Sequence, residues 1–176
     1  FEITTGKGGK GEAKALNLKT VYVNRFGFLP DGAILIASRD GLYFEKDGQF
    51  SRRIVTRLPR EEITTIFVNR DGSYYVGARG KIYKIVNETV RETHIIDVGT
   101  RLQDVIEIFC DSRGNLWFSL MNNGFHLLRH EDSKIVNMGK KFNLESTHVN
   151  GFLEDREGNL WVSAFGKGVF CLNNLY

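Results

Sequence analysis

Two carboxylates, Asp111 and Asp155, each stand three residues before a glycine, Gly114 and Gly158, and each glycine opens the run Gly-Asn-Leu-Trp. Acid–base chemistry would need two such groups to converge on one cleft with their pKa values pushed apart. Repetition in register argues for another role, because a residue that recurs in every copy of a unit faces a different way in each copy and serves its own turn. Both aspartates are therefore expected to cap turns. His126 and His130 are four apart, a spacing that would hold a metal on a helix. In a strand it spans about 13 Å, too far for one ion. These two, with His94 and His148, are expected as solvated or hydrogen-bonded surface histidines, and no metal site is expected. Cys110, in a predicted inner strand, and Cys171, in a third strand one repeat later, read as separate buried thiols, since a disulfide needs Cα atoms within about 7 Å. The run Gly6-Lys7-Gly8-Gly9-Lys10-Gly11 has the form G-x-G-x-x-G. Only Glu12 to Leu18 remain before the next apolar run at Val21, too few for the helix that a dinucleotide site requires. It reads as a mobile, solvated loop, and no cofactor is expected. No Ser/His/Asp or Cys/His arrangement has a motif around it.

The elements that would carry these residues come from a repeat. Gly32, Gly72, Gly114 and Gly158 are spaced 40, 42 and 44 residues apart. Nine residues before them stand Val23, Ile63, Val105 and Val149; six before stand Phe26, Ile66, Ile108 and Phe152; three after stand Leu35, Tyr75, Trp117 and Trp161. A second glycine follows in each copy: Gly41, Gly80, Gly124 and Gly168. Between these points lie short runs of Val, Ile, Phe, Tyr and Trp separated by Asp-Gly and Gly-Asn turn signals, the pattern of strands and hairpins. A period near 42 holds four strands, which suits a propeller blade better than a solenoid coil. The chain is thus expected to be all-β, a β-propeller with four blades of four antiparallel strands each. The aromatic three residues after the glycine would wedge between neighbouring blades, where burial is worth about 2–3 kcal/mol.

The two runs Asp111-Ser112-Arg113-Gly114-Asn115-Leu116-Trp117-Phe118-Ser119 and Asp155-Arg156-Glu157-Gly158-Asn159-Leu160-Trp161-Val162-Ser163 resemble the two-component regulator propeller repeat. Leu58-Pro59 followed by Ile63 resembles its lead-in, and Gly41-Leu42-Tyr43-Phe44 its closing strand. The first two copies lack both the Gly-Asn and the Trp. The resemblance implies the extracytoplasmic sensor region of a bacterial, often hybrid, histidine kinase, in which propellers of many blades recognise carbohydrate breakdown products. In the aspartate box of sialidases the acid lies two residues before the glycine rather than three, which counts against a glycoside hydrolase.

At 176 residues, with 41% hydrophobic and 26% charged residues, the chain can bury a core of its own. A net charge of +3 is too mild to argue for nucleic acid. No run of 18 apolar residues exists to cross a membrane, so any membrane contact would come through a parent protein. With Phe1 opening a strand and no initiator Met, the chain reads as a piece of something longer. Residues 1–15 are expected as a leftover strand of a neighbouring blade with the Gly/Lys loop. Blades follow at 16–56, 57–98, 99–140 and 141–176, the last without its outer strand. Phe1–Thr5 could fill that place only if four blades closed into a ring, and an open arc of a larger propeller is favoured.

Such an arc would leave apolar faces for neighbouring blades or a second copy to cover. Binding groups are expected on the loops of one face. The second-to-third-strand loops carry Arg39 and Asp40, Arg79, Asn122 and Asn123, and Phe165 and Lys167; the blade connections carry Arg60 and Glu61, Arg101 and Gln103, and His148. Arg, Asn and aromatic side chains suit an oligosaccharide or another small polar ligand. The expected function is non-enzymatic periplasmic ligand sensing, with kinase activity elsewhere in the parent. The alternatives are a propeller lyase or glycoside hydrolase, and a protein-interaction scaffold.

Overall fold

A computed structural model describes residues 2–5 and 11–14 as strands, and residues 22–99 and 102–173 in full. The first two strands, β1 (Glu2–Thr5) and β2 (Gly11–Lys14), pair with each other in an antiparallel hairpin. Blade 1 is β3 (Val23–Phe28), β4 (Ile34–Ser38), β5 (Gly41–Lys46) and β6 (Gln49–Arg52). Blade 2 is β7 (Thr65–Val68), β8 (Tyr74–Ala78), β9 (Lys81–Val86) and β10 (Thr89–Ile95). Blade 3 is β11 (Val105–Cys110), β12 (Leu116–Leu120), β13 (Phe125–Leu128) and β14 (Ile135–Asn137). After a single helical turn, α1 (Met138–Lys141), blade 4 has three strands, β15 (Val149–Glu154), β16 (Leu160–Ala164) and β17 (Gly168–Leu172). Each sheet is an antiparallel meander with its strands in chain order.

One turn recurs in all four blades between the first and second strands. The anchor glycine N–H donates to the carbonyl three residues back, Leu29, Asn69, Asp111 or Asp155, at 3.0–3.1 Å. The glycine φ angles are +84, +81, +82 and +81°, a left-handed conformation in which a side chain would be strained. That requirement is why glycine marks the period. In blades 1, 3 and 4 the first strand also carries a bulge at the same place, Val23/Arg25, Val105/Glu107 and Val149/Gly151.

The core lies between blades rather than inside them. Leu35, Ala37 and Leu42 of blade 1 pack with Ile63, Ile66, Tyr74 and Val76 of blade 2. Tyr75 and Ile82 of blade 2 pack with Val105, Ile108, Leu116 and Phe118 of blade 3. Trp117, Phe125 and Leu127 of blade 3 pack with Val149, Leu160, Val162 and Leu172 of blade 4, joined by Met138 of α1. The inner strands β3, β7, β11 and β15 thus stand side by side in order, and the sheets form an open partial propeller. At its two ends, Phe26 and Phe28 of blade 1 and Leu153, Trp161 and Val169 of blade 4 are exposed.

Several expectations change. Residues 6–10 of the Gly/Lys stretch lie outside the described residues, but Gly11 begins a strand rather than continuing a loop. Glu2–Thr5 pairs with that strand and not with β17, so it does not supply a fourth strand to blade 4. The short helix α1 was not foreseen; Asn137 caps it by accepting the Lys140 N–H at 2.8 Å, and Lys140 and Lys141 suit its C-terminal end. Both cysteines are free, but only Cys110 is half-buried and Cys171 is exposed, because β17 faces the open end of the arc. Burial pushes the Cys110 thiol up to about 11.

Candidate functional site

Alternation along β12 and β16 sends Trp117 and Trp161 to the same side of their sheets, and the preceding turn holds a carboxylate against each indole. Asp111 accepts the backbone N–H groups of Arg113 and Asn115, the Asn115 side-chain amide at 3.0 Å and the Trp117 indole N–H at 2.9 Å. Asp155 accepts the corresponding set from Glu157, Asn159 and Trp161, with the indole at 2.8 Å. The Trp161 and Asn159 side chains hold the Asp155 carboxyl down at about 2. Each aspartate spends its lone pairs on its own turn, which is a structural assignment.

The loops between second and third strands, and the connections between blades, meet on one face. Ile63 N–H donates to Ser38 O, Gly80 N–H to Gln103 O, Met121 N–H to Asp104 O, and Phe165 N–H to His148 O, at 2.8–3.1 Å. These bonds fix the backbone beneath the side chains expected to bind. His148 and Phe165 are brought together, with Phe165 77% exposed and Lys167 exposed on the same turn. Arg79 donates from Nε to the Leu102 carbonyl at 3.2 Å. Asn122 is exposed in a left-handed turn and Asn123 is half-buried beside it. Arg39 lies over the Tyr22 ring at 5.5 Å. Asp40 faces inward, accepting from Ser38 Oγ at 2.8 Å and the Tyr43 hydroxyl at 2.6 Å, and this pairing raises the pKa of Tyr43. Arg101 lies outside the described residues. Glu61 accepts the Tyr83 hydroxyl and lies 3.5 Å from Lys81 Nζ.

Sequence reasoning missed two features. Arg25 of β3 pairs with Glu107 of β11, an ion pair that reaches from blade 1 to blade 3 past blade 2. Glu107 is buried, and desolvation raises its pKa despite the guanidinium. The signal was a single column: seven residues before the anchor glycine stand Arg25, Thr65, Glu107 and Gly151, opposite charges within otherwise apolar strands. The second is His126, expected at the surface but fully buried in the joint between blades 2 and 3. Its ring stacks on Phe118 with centroids 5.4 Å apart, and neither ring nitrogen has a hydrogen-bond partner among the described residues. Burial pushes it down to about 4. Pairing to the second strand aligns it with Tyr43, Tyr83 and Phe170, so His126 fills an aromatic position. His130 is exposed, as expected.

The opposite face holds a hollow of about 610 Å³ where the inner strands of blades 2, 3 and 4 end. None of the residues expected to bind ligand lines it. Among the described residues, no group of three or more His, Cys, Asp or Glu side chains could hold a metal, and no helix is long and apolar enough to cross a membrane.

Residues 143–166, most of blade 4 from its lead-in through β16, match the family model described as two component regulator propeller. No curated protein matches the chain. Among solved structures, the chain is similar to the extracellular domains of two hybrid two component systems of B. thetaiotaomicron. For one the TM-score is 0.65 at 18% identity, over 93% of this chain and 23% of the other. For the second it is 0.67 at 16% identity, over 94% and 22%. A virginiamycin B lyase from Staphylococcus aureus is also similar, with TM-score 0.60 at 15% identity over 89% of this chain and 57% of the enzyme. The chain therefore spans less than a quarter of the two sensor domains, and likenesses at these identities establish the propeller fold alone.

Proposed function

We propose that this chain is a stretch of the periplasmic, ligand-reading propeller of a two-component sensor histidine kinase, that it recognises carbohydrate-derived ligands without converting them, and that the kinase lies elsewhere in the parent protein. The observation that carries this reading is the loop face at blade 4. There Phe165 presents an exposed ring while its own N–H is tied to His148 O at 2.8 Å. An exposed ring on a tied-down turn, with Lys167 on the same turn and Asn122 and Asn123 on the equivalent loop of blade 3, suits a polyhydroxylated ring, which stacks its C–H face and hydrogen-bonds at its edge. Arg39 and Arg79 extend the same face. The two repeated carboxylates, which a lyase or glycosidase would need free, are committed to their own turns.

Calorimetric titration of the chain with neutral and acidic oligosaccharides tests the reading, followed by chromatography of each mixture. Saturable binding that Phe165→Ala weakens at least tenfold, with the sugar recovered intact, is the expected result. Recovery of cleaved sugar would replace it with the enzyme reading. Binding unaffected by Phe165→Ala would remove the loop face from consideration.

A further inference from the structure

The hollow on the far side from the loops is assembled from equivalent positions of three successive repeats. Five residues before the anchor glycines stand Phe67, Phe109 and Leu153, and these form its apolar wall. The two phenyl rings meet edge to face with centroids 5.5 Å apart. The side chain of Leu153 remains exposed at the blade 4 end. The rim is polar and carries Asn69, Arg70, Ser112 and Glu154. Its charges are not equivalent. Both carboxylate oxygens of Glu154 are engaged, one by the Ser112 N–H and one by the Ser112 hydroxyl, each at 2.8 Å. Asp111, also at the hollow, holds the turn and the Trp117 indole. Arg70 is exposed and has no hydrogen bond or ion pair among the described residues. The group at the rim with hydrogen-bonding capacity left over is the Arg70 guanidinium, since the oxygens of Glu154 are already occupied.

A volume of about 610 Å³ lies in the range of small-molecule sites, and an apolar wall with a few polar groups at its edge is their usual composition. A guanidinium without a protein partner favours a carboxylate, which it can grip with two parallel hydrogen bonds. We infer that this hollow is a second binding site, for a ring compound bearing one carboxylate, the ring lying on Phe67 and Phe109 and the carboxylate on Arg70. Two sources supply that chemistry, an acidic sugar and an aromatic acid. The site shares no residue with the loop face, so it stands whether or not that face binds sugars.

The test is calorimetric titration of the whole chain carrying Phe165→Ala, which removes the ring from the loop face, with glucuronate, glucose and 4-hydroxybenzoate, repeated with Arg70→Gln or Phe67→Leu added. Binding of glucuronate or of 4-hydroxybenzoate, with glucose at least tenfold weaker, supports the site, and whichever acid binds names the source. Arg70→Gln is expected to weaken the acid about tenfold or more, the usual cost of losing a charged hydrogen-bond partner. Phe67→Leu weakens it less. Arg70 is a surface residue, so its variant folds. Equal affinity for glucose and glucuronate, binding of neither acid, or an Arg70→Gln variant with native affinity would each overturn the inference.

Discussion

Blades 3 and 4 contain nearly the same nine residues and fold them to the same distances, yet the two copies live in different surroundings. Asn115 and Asn159 each donate backbone N–H groups at 2.8 Å to their aspartates, and the two indoles donate at 2.9 and 2.8 Å. Trp117 is nevertheless fully buried, whereas Trp161 remains 39% exposed. The cassette is local, and its geometry is set by nine residues of chain. Burial is not local, and it comes from whatever packs on the outer side of the blade. Blade 4 covers Trp117 with Val149, Leu160 and Val162, and among the described residues no fifth blade stands beside Trp161.

Substitutions made in pairs separate the two contributions. Trp117→Ala should cost about 3–5 kcal/mol in urea unfolding, as for other buried aromatics, and Trp161→Ala only about 1–2 kcal/mol. Equal losses would mean that burial does not decide the difference. Between pH 7 and 4.5 acid should act on blade 3 and spare blade 4, because the residue of blade 4 matching His126 is Phe170. His126 is depressed to about 4 from 6.5, so its neutral form stabilises the fold above pH 6.5, and that stability is lost as pH falls through 4. The loss should be on the order of 3 kcal/mol. His126→Phe should remove that part of the pH dependence, as measured by unfolding at pH 7 and pH 4.5, and an unchanged profile would clear His126 of the effect.

Asp111→Ala leaves a buried indole and a buried amide without their acceptor, at a cost of about 2 kcal/mol. Asp155→Ala should cost measurably less, since water reaches its partners; unfolding midpoints compare the two. The smallest effect should also be the most even. Gly114→Ala and Gly158→Ala each force a side chain into φ near +81°, and the nearest atoms to the added carbon are at 3.5 Å or beyond 4 Å. About 1 kcal/mol is expected from each. A large inequality here would show that the turn is not the local unit described.

The same division explains what could be read from sequence. Gly32, Gly72, Gly114 and Gly158 were legible because each satisfies a torsion its own turn demands, and the demand repeats. The turn role of Asp111 and Asp155 followed from that repetition. The ion pair between Arg25 and Glu107 depends on the meeting of two strands 82 residues apart, and its one trace in the sequence is the pair of opposite charges in the aligned column of Arg25, Thr65, Glu107 and Gly151. His126 went unrecognised because histidine was weighed by its chemistry and not by the aromatic column of Tyr43, Tyr83 and Phe170 in which it stands. Cys171 was expected to be buried from its place in a third strand, but that strand lies at the open end of the arc and leaves it exposed. The loop residues could be assigned to a face, but Asp40 turned inward to Ser38 and Tyr43, a choice made by side chains rather than by topology. The hollow opposite was illegible because its wall requires Phe67, Phe109 and Leu153 to converge from three repeats.

Placing the core between blades has a consequence for synthesis. A repeat that has just left the ribosome has all its backbone hydrogen bonds available and almost none of its apolar burial. Its aromatic wedge is covered only when the next repeat, some 40 residues later, has been made. Folding of such a chain would advance joint by joint behind translation, each newest blade held provisionally until its successor arrives. Between those moments the side chain of Trp117 or its equivalent is the surface a chaperone would meet.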